Sequence, residues 1–420
     1  MLIRENEKNL IPCGIPYVLH DLPSVAKDVK DPKSFLKEGG KLVIDKVLQI
    51  DRTLKTIKTA KDEYVYDKLV LATGSKPMIP GFIKGHDSDN VFYIYKDYDY
   101  VKQLKEKIEG AQRISIIGGG FIGVEIAEQI SKLQGKQVSI IELEQSCLSA
   151  VFSREACEEV EKQIKACGIE LFTSSRVTEL KAQNGRISGV LLEDGRGIET
   201  DLVILALGYR PNSELAEKAG LKANRFGAIK VDTYMRTEDK DIFAIGDCAQ
   251  KIDFITRRSS QVMLASIAGA ESRVVASNIF SVKTMRHNLG TIGIFSTAIN
   301  GKIFAAAGMS EGQAREQNIS FVIGEFKGYD KHPLAFKGTN RIHVRLLITE
   351  ESASIIGAEI LGGVTCGEII NTIGIAIQAK LDIYDLYSYQ IGTHPLLTGG
   401  PTVYPFMKAL EDSIAILRKK

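Results

Sequence analysis

The amino-acid sequence predicts an α/β fold, and three observations carry this prediction. Arg113–Ile117 is an apolar strand that runs into a glycine-rich turn and then into a helical repeat. Residues 201–207 form a second apolar run, which stops at Gly208. Residues 292–361 contain hairpin patterns, and a helical repeat follows them. Apolar strands joined to amphipathic helices are typical of sheets that helices cover.

Length and composition limit the classes of protein. A chain of 420 residues is too long for one ordinary core, so roughly two to four domains are expected. The 44% hydrophobic and 25% charged residues are typical of soluble globular proteins. A net charge of +2 and the lack of a basic, aromatic-rich run argue against a nucleic-acid partner. No apolar run is long enough to predict a membrane span.

The N-terminus and the cysteines indicate the compartment. The first ten residues are charged and do not resemble a signal peptide. Six scattered cysteines contain no CxxC pair, which argues against a zinc site and a disulfide scaffold. The sequence therefore predicts a cytoplasmic protein.

The pattern along the chain predicts four segments, with bounds near residues 97, 228 and 285. The first is strand-rich and ends in a buried strand before Thr73-Gly74. The fourth contains hairpins and a helix whose isoleucines share one face. The predicted strands cover residues 43–50, 55–59, 66–72, 113–117, 137–143, 201–207, 241–245, 292–296, 302–306, 342–349 and 354–361, and hairpin turns are expected at residues 184–185, 194–195 and 300–301.

The glycine turn is the strongest chemical signal. Gly118, Gly120 and Gly123 have GxGxxG spacing between a strand and a helix, the context that makes this motif informative. The first glycine makes the turn, the second lets a pyrophosphate approach, and the third lets helix and strand pack. Glu142 ends the next strand, where a carboxylate can accept from a ribose 2′-OH. No arginine follows it closely, so NADH is favoured over NADPH; the alternative is an ordinary glycine-rich turn.

A second feature is Gly246-Asp247, which follows the apolar strand at 241–245. Alone it would be a simple turn. Its weight comes from the ordered set to which it belongs: Thr73-Gly74, the dinucleotide turn, Gly208, and then Gly246-Asp247.

This ordered set resembles the FAD-dependent pyridine nucleotide-disulfide oxidoreductases, above all the single-cysteine branch of NADH oxidases, NADH peroxidases, coenzyme A disulfide reductases and polysulfide reductases. Residues 72–74 match the family segment that crosses the FAD domain, and residues 206–212 match the one that closes the NAD domain. Residues 242–247 match the flavin segment, in which Asp247 holds the ribityl chain.

The resemblance implies two dinucleotide-binding (Rossmann-like) domains plus a C-terminal α+β interface/dimerisation domain. Residues 1–97 and 229–285 would be the two pieces of the FAD-binding domain. Residues 98–228 would be the NAD-binding domain, and residues 286–420 the dimerisation domain of a homodimer.

Cys13 lies in Cys-Gly-Ile-Pro-Tyr, which is similar to the segment that carries the redox cysteine of this branch. There the thiolate faces the flavin, which requires access and a lowered thiol pKa. The resemblance also implies that Glu125 reaches the nicotinamide and that Phe121 gates its pocket. The alternatives are a buried structural cysteine, a solvated helix carboxylate and a core phenylalanine.

His394 precedes Pro395 in the position of the family's catalytic histidine, which the partner subunit donates. In related enzymes a glutamate five residues on orients this histidine, but here that residue is Gly399. Some coenzyme A disulfide reductases use a tyrosine instead, and its place is taken by Thr393; Tyr404 is a looser candidate. His394 and Tyr404 therefore remain alternatives for the proton donor.

The sequence departs from the family at its N-terminus. Residues 1–4 resemble the end of the second FAD-domain strand, and no GxGxxG turn precedes Cys13. About one strand–helix–strand unit is missing relative to the family. We expect Met1 to be an internal methionine taken as the start, with a natively short chain as the alternative.

The resemblance implies an enzyme in which NADH reduces FAD and the electrons pass through Cys13 to a small-molecule acceptor. The sequence does not separate oxygen, peroxide, coenzyme A disulfide and polysulfide. The alternative is a non-catalytic NAD(H)-binding dimeric module that has lost the FAD site.

Overall fold

The structure is a computed structural model that describes residues 1–282 and 287–419. The predicted boundary at residues 285/286 lies outside the described residues. The strands are β1 (Leu2–Arg4), β2 (Leu42–Ile44), β3 (Val47–Asp51), β4 (Thr56–Thr59), β5 (Glu63–Val65), β6 (Leu69–Leu71), β7 (Ser75–Pro77), β8 (Val91–Tyr93), β9 (Arg113–Ile117), β10 (Gln137–Ile141), β11 (Glu170–Phe172), β12 (Val177–Gln183), β13 (Arg186–Leu192), β14 (Gly197–Glu199), β15 (Leu202–Leu205), β16 (Tyr209–Pro211), β17 (Ile242–Ala244), β18 (Lys251–Ile252), β19 (Ser259–Ser260), β20 (Ile294–Ile299), β21 (Lys302–Gly308), β22 (Phe321–Tyr329), β23 (Arg341–Thr349) and β24 (Ile355–Gly362). The α-helices are α1 (Lys33–Lys37), α2 (Tyr98–Gly110), α3 (Phe121–Ser131), α4 (Arg154–Ala166), α5 (Glu214–Lys218), α6 (Ala265–Asn278), α7 (Glu311–Glu316), α8 (Cys366–Gln378), α9 (Ile383–Tyr387) and α10 (Pro405–Leu417).

The chain forms two compact units. The first comprises residues 1–117, 133–136 and 177–291, and the second comprises residues 118–132, 137–176 and 292–420, apart from the residues that are not described. Within residues 1–282 and 287–419, every helix is too short or too polar to span a lipid bilayer.

Unit 1 is built from several small sheets. β15 pairs in parallel with both β8 and β9, and β6 pairs in parallel with β17. β12, β13 and β14 form an antiparallel meander, as the turns at residues 184–185 and 194–195 predict. The apolar side chains of β6 and β17, among them Phe243 at 1% exposure, lie in a core with Ile50 and Ile57. This core supports the chain where β6 and β17 end, just before Thr73 and Gly246.

Unit 2 contains a five-stranded antiparallel sheet in the order β20-β21-β24-β23-β22, against which α8 and α10 pack. It also contains the parallel pair β10–β11, with α3 against β10. The parallel pairs, antiparallel sheets and packed helices confirm the α/β prediction.

Most predicted strands are confirmed, but one is corrected and another was missed. The run at residues 43–50 is not one antiparallel strand, because it breaks between β2 and β3 at Asp45, whose carboxylate accepts from the Lys46 and Lys61 N–H groups. β2 pairs in parallel with β1, whereas β3 pairs antiparallel with β4. β22 was not predicted, since glycines interrupt its pattern. At Gly324 an added Cβ would lie 1.9 Å from Ser413 Oγ, so close packing of α10 requires a glycine there.

Candidate functional site

The glycine turn in unit 2 shapes a backbone cradle at the start of α3. Gly118 has φ +110°, a conformation that side chains rarely adopt, and its N–H donates to the Ile141 carbonyl at 2.9 Å. Gly120 is the N-cap of α3, and Gly123 is buried in its first turn. The amides ahead of Val124 have no acceptor inside the helix, so they are available to an anion.

Gly119 and Gly120 differ in the space available for a side chain. A Cβ on Gly119 would lie 2.5 Å from Cys147 Sγ and 3.0 Å from Glu142 Oε2. A Cβ on Gly120 would meet nothing within 4 Å. Gly119 is therefore required by protein packing, whereas the space in front of Gly120 is open.

Glu142 lies beside the turn, as its position at the end of β10 predicts. Its carboxylate accepts hydrogen bonds from the Gly119 and Glu144 N–H groups. These bonds orient an acceptor next to the cradle, the geometry that suits a ribose hydroxyl. Cys147 packs behind the turn, where burial raises the pKa of its thiol and the charge of Glu142 adds to the increase.

Glu125, in the first turns of α3, is held by a residue that sequence reasoning missed. Its Oε1 accepts a hydrogen bond from Thr297 Oγ1 on β20 at 2.8 Å. Burial raises the pKa of Glu125 to about 7, although the Thr297 hydrogen bond opposes the increase. Glu125 is thus not a solvated helix carboxylate.

Phe121 is half-buried at the start of α3 and stacks on Phe295 of β20. The two ring centroids are 5.2 Å apart with an interplanar angle of 9°. The ring centroid of Phe152 also lies 6.1 Å from that of Phe121, with an interplanar angle of 57°. Contacts with these two aromatic rings thus hold the Phe121 side chain in place at the start of α3.

In unit 1, Asp247 belongs to a compact charged cluster. Its Oδ2 lies 2.7 Å from Ser75 Oγ and 2.8 Å from Lys96 Nζ. Burial alone would raise the pKa of Asp247, but Lys96 and Ser75 hold that pKa below its usual range. The carboxylate therefore stays charged and keeps acceptor capacity for a hydroxyl-rich ligand.

Thr73 and Gly74 join the same region to the segment after Gly208. Thr73 Oγ1 donates to the Asn212 carbonyl at 2.5 Å, and the Asn212 N–H donates to the Gly74 carbonyl at 2.9 Å. Gly74 and Gly208 have φ of +69° and +91°, which lets both chains turn here. β7 and β16 then pair antiparallel.

A buried ion pair supports the turn that carries Asp247. Lys251 and Glu271 are 4% and 1% exposed in their side chains, and their charged atoms are 2.8 Å apart. Lys251 Nζ also donates to the carbonyls of Gly246 and Ala249, while Glu271 accepts from the Gly246 N–H at 2.7 Å. The pair satisfies the backbone around Gly246, whose φ is +71°.

A cavity of about 250 Å³ adjoins this cluster within unit 1. Its walls combine apolar and charged groups, among them Met78, Tyr209, Phe226, Asp247 and Lys251. An apolar pocket with a few fixed polar groups is typical of a small-molecule or cofactor site.

Cys13 is exposed on a short 3-10 helix, Pro12–Gly14, in unit 1. Its exposure favours a chemical role over the buried structural alternative. The next residue, Gly14, has no room for a side chain, because a Cβ at position 14 would lie 1.8 Å from Asp28 Oδ1. Burial raises the pKa of Asp28, and a hydrogen bond from the Ile11 N–H opposes this.

His394 is exposed in unit 2, and the backbone sets its ring. Its Nδ1 accepts from the Leu396 N–H at 3.2 Å, while Thr398 Oγ1 binds the His394 N–H at 2.9 Å. A neutral imidazole that accepts at Nδ1 carries its proton on Nε2, so the ring is arranged as a donor without a carboxylate at Gly399. Tyr404 is half-buried before α10, and burial raises the pKa of its phenol.

Apart from Cys13, His394 and Tyr404, the predicted site residues fall into two groups, one in each unit. Unit 2 brings together Gly118, Gly120, Gly123, Glu142, Glu125 and Phe121; unit 1 brings together Thr73, Gly74, Gly208, Gly246 and Asp247. Sequence reasoning missed the partners Ser75, Lys96, Lys251, Glu271, Phe295 and Thr297. In the described part of the chain, no group of three or more His, Cys, Asp or Glu side chains is placed to hold a metal ion.

Known proteins are similar to this chain over most of its length. Residues 1–272 match the family model described as pyridine nucleotide-disulphide oxidoreductase, and residues 297–402 match the dimerisation domain of that family. An NADH oxidase from Methanocaldococcus jannaschii is 29% identical over an alignment 432 positions long. The alignment covers 100% of this chain and 94% of the relative. The NAD(P)H sulfur oxidoreductase (CoA-dependent) from Pyrococcus abyssi is 28% identical and covers 84% of this chain and 78% of the relative.

Among solved structures, a NAD-dependent persulfide reductase from A. fulgidus superposes with a TM-score of 0.88 at 29% identity. The match covers 98% of this chain and 76% of that chain. These similarities confirm the predicted family and the α/β fold with its C-terminal dimerisation domain.

Proposed function

Because this chain belongs to the pyridine nucleotide-disulphide oxidoreductase family, we propose that it is an NADH-dependent flavoprotein enzyme. Electrons from NADH would pass through FAD and Cys13 to oxygen, a peroxide, or a disulfide or polysulfide. Relatives named as an NADH oxidase and as a sulfur oxidoreductase support this range of acceptors. The observation that carries the proposal is the open cradle at Gly120 beside the oriented carboxylate of Glu142.

The glycine turn would bind NADH chiefly through its backbone. Backbone N–H groups at the start of α3 would hold the pyrophosphate, and Glu142 would accept from the adenosine ribose. A carboxylate at this position repels a 2′-phosphate, so NADH is the preferred donor over NADPH. Glu125 and Phe121 would lie at the nicotinamide end.

The residues of unit 1 fit the ribityl and flavin part of FAD. Asp247, kept ionised by Lys96, would accept from ribityl hydroxyls, and the adjoining cavity offers apolar walls. The backbone would approach the FAD at four positions: Thr73, Gly74, Gly208 and Gly246. When bound, the flavin supplies the two-electron chemistry that joins NADH to sulfur or oxygen acceptors.

Cys13 would act as the nucleophile that meets the acceptor. Its thiolate would attack an oxidised sulfur or a peroxide, which leaves a mixed disulfide, a persulfide or a sulfenic acid on Cys13. The leaving group requires a proton; His394 would supply it as the imidazolium, whereas its neutral ring would donate only a hydrogen bond from Nε2. Tyr404 is the less accessible candidate.

We further propose a homodimer, since residues 297–402 match a dimerisation domain and the family completes each site with the partner. Four segments, residues 1–97, 98–228, 229–285 and 286–420, would form the two FAD pieces, the NAD domain and the interface domain. A cytoplasmic location remains a prediction from the scattered cysteines.

The acceptor is tested with Cys13→Ser. We expect the purified variant to lose reduction of coenzyme A disulfide or polysulfide while NADH oxidation under air continues, which would assign a disulfide-reductase activity. Loss of both reactions would assign an oxidase that needs Cys13. Cys167→Ser is the matched control, because Cys167 lies at the end of α4 outside both clusters; unchanged sulfur reduction in Cys13→Ser would contradict the role of Cys13.

A further inference from the structure

Two side chains of β20 cover the start of α3 within unit 2. Phe295 stacks on Phe121, and Thr297 donates to Glu125 at 2.8 Å. Residues two apart in a strand point to the same face, so one strand face contacts both helix residues. Thr297 is only 5% exposed, and the intervening Ser296 is exposed on the other face.

We propose that Thr297 is a positioning residue that holds the Glu125 carboxylate at the nicotinamide end of the site and so sets how strongly the site prefers NAD+ over NADH. The inference rests on the proposed binding of NAD(H) at the glycine turn. The oxidised nicotinamide ring carries a positive charge and the reduced ring is neutral. An ionised Glu125 therefore attracts NAD+ more than NADH, whereas a protonated Glu125 discriminates less.

The surroundings of Glu125 allow both states near neutral pH. Burial raises the pKa of Glu125 to about 7, and the charge of Glu128 adds to the increase. Glu128 is itself paired with Lys132 at 3.0 Å. The strands packed against α3, β10 and β20, consist of uncharged residues. The Thr297 hydroxyl thus supplies the stabilising contact on the carboxylate, and its removal favours the protonated form.

The test measures the ratio of the dissociation constants, Kd(NADH)/Kd(NAD+), for the full chain from about pH 6 to pH 9, a range that brackets the titration of Glu125. Calorimetry supplies the two constants, with a tetrahydro analogue of NAD in place of NADH, because its ring is neutral and cannot pass hydride to the flavin during the titration. In the unaltered protein we expect this ratio to rise on the order of tenfold as Glu125 ionises. In Thr297→Val the midpoint should move upward by about one pH unit, and Thr297→Ser, which keeps the hydroxyl, should restore it.

Two comparisons make the result specific. Glu125→Gln should give a ratio that does not change with pH. Ser296→Ala, which removes a hydroxyl from the opposite face of β20, should behave as the unaltered protein. If Thr297→Val does not fold by circular dichroism, Thr297→Ala takes its place.

The outcomes separate the two claims. A ratio independent of pH in the unaltered protein, or an unchanged midpoint in the Thr297 variants, overturns the role of Thr297 while NADH binding stands. Failure of the unaltered protein to bind either nucleotide overturns the proposed function as well.

Discussion

The two glycine-containing turns at Gly118 and Gly246 have a similar backbone conformation but different surrounding groups. Gly118 and Gly246 each follow a strand and have positive φ, +110° and +71°. In unit 2 the turn opens a helix and presents backbone N–H groups beside Glu142. In unit 1 the turn is fastened by the Lys251–Glu271 ion pair, and Asp247 is paired with Lys96.

This difference predicts that changes in one turn affect ligand binding and changes in the other affect stability. The cradle at Gly120 depends on space and backbone direction, so a small change should affect ligand affinity while the fold remains. The turn at Gly246 depends on buried charges, so removal of one partner should affect the free energy of unfolding first. The following predictions test this division, from the largest expected effect to the smallest.

The largest effect is expected from Lys251→Met. It leaves Glu271 buried without its cation and removes the donor to two carbonyls, which should lower the free energy of unfolding by about 3–5 kcal/mol. Denaturant unfolding measures the change, and NADH affinity should be unaltered. The matched control is Lys302→Met, since Lys302 and Glu159 are also 2.8 Å apart but more exposed; it should cost at most about 1 kcal/mol.

The double variant Lys251→Met/Glu271→Gln should recover much of the loss, because the amide oxygen still accepts from the Gly246 N–H and no buried charge remains. A cost for Lys251→Met as small as that of Lys302→Met would show that unit 1 does not depend on the buried pair.

Gly120→Val should weaken NADH binding by roughly a hundredfold, because the side chain fills the space that the pyrophosphate needs. Its φ of −75° and ψ of −179° suit any residue, so the thermal midpoint should hardly change. Gly119→Ala should instead act mainly on folding, with a loss of about 1–3 kcal/mol of stability from contact with Cys147 and Glu142. Calorimetry and thermal unfolding of both variants distinguish the outcomes; equal effects of the two on folding would contradict the assignment of the cradle.

The smallest effect concerns pH. Asp247 has a depressed pKa, so its ion pair stabilises the fold above the ordinary carboxyl pKa near 3.9 and this stability is lost as pH falls through the lower, folded value. Lys96→Met should cost about 1–2 kcal/mol at pH 7. The cost should shrink below about pH 4 as the carboxyl takes up a proton. Urea unfolding at several pH values measures it, and a cost that is constant with pH would rule out the Lys96–Asp247 pair as its source.

Local pattern was enough to predict the glycine turn and the hairpins, because each depends on residues close in sequence, and the order of several such motifs along the chain was enough to predict the family. Gly118, Gly120 and Gly123 fall within one turn, and Asn184-Gly185 closes one hairpin. The partners of the site residues could not be found this way. Lys96 is 151 residues from Asp247, and Thr297 is 172 residues from Glu125.

These partners also carry no distinctive motif. Lys96 follows three aromatic or apolar residues and looks like a surface lysine, and Thr297 looks like any strand threonine. Lys251 and Glu271 are charged residues, which sequence reasoning places in solvent because burial is costly without a partner. The fold supplies those partners, and sequence pattern alone does not.

The most direct test of the central claim is the visible absorption spectrum of the purified chain, recorded without oxygen before and after addition of NADH. The proposed function predicts a yellow protein whose flavin band bleaches with NADH, and a Gly120→Val protein that stays yellow at the same NADH concentration. A colourless protein, or bleaching that Gly120→Val leaves unchanged, would contradict NADH entry at the glycine turn of a flavoprotein.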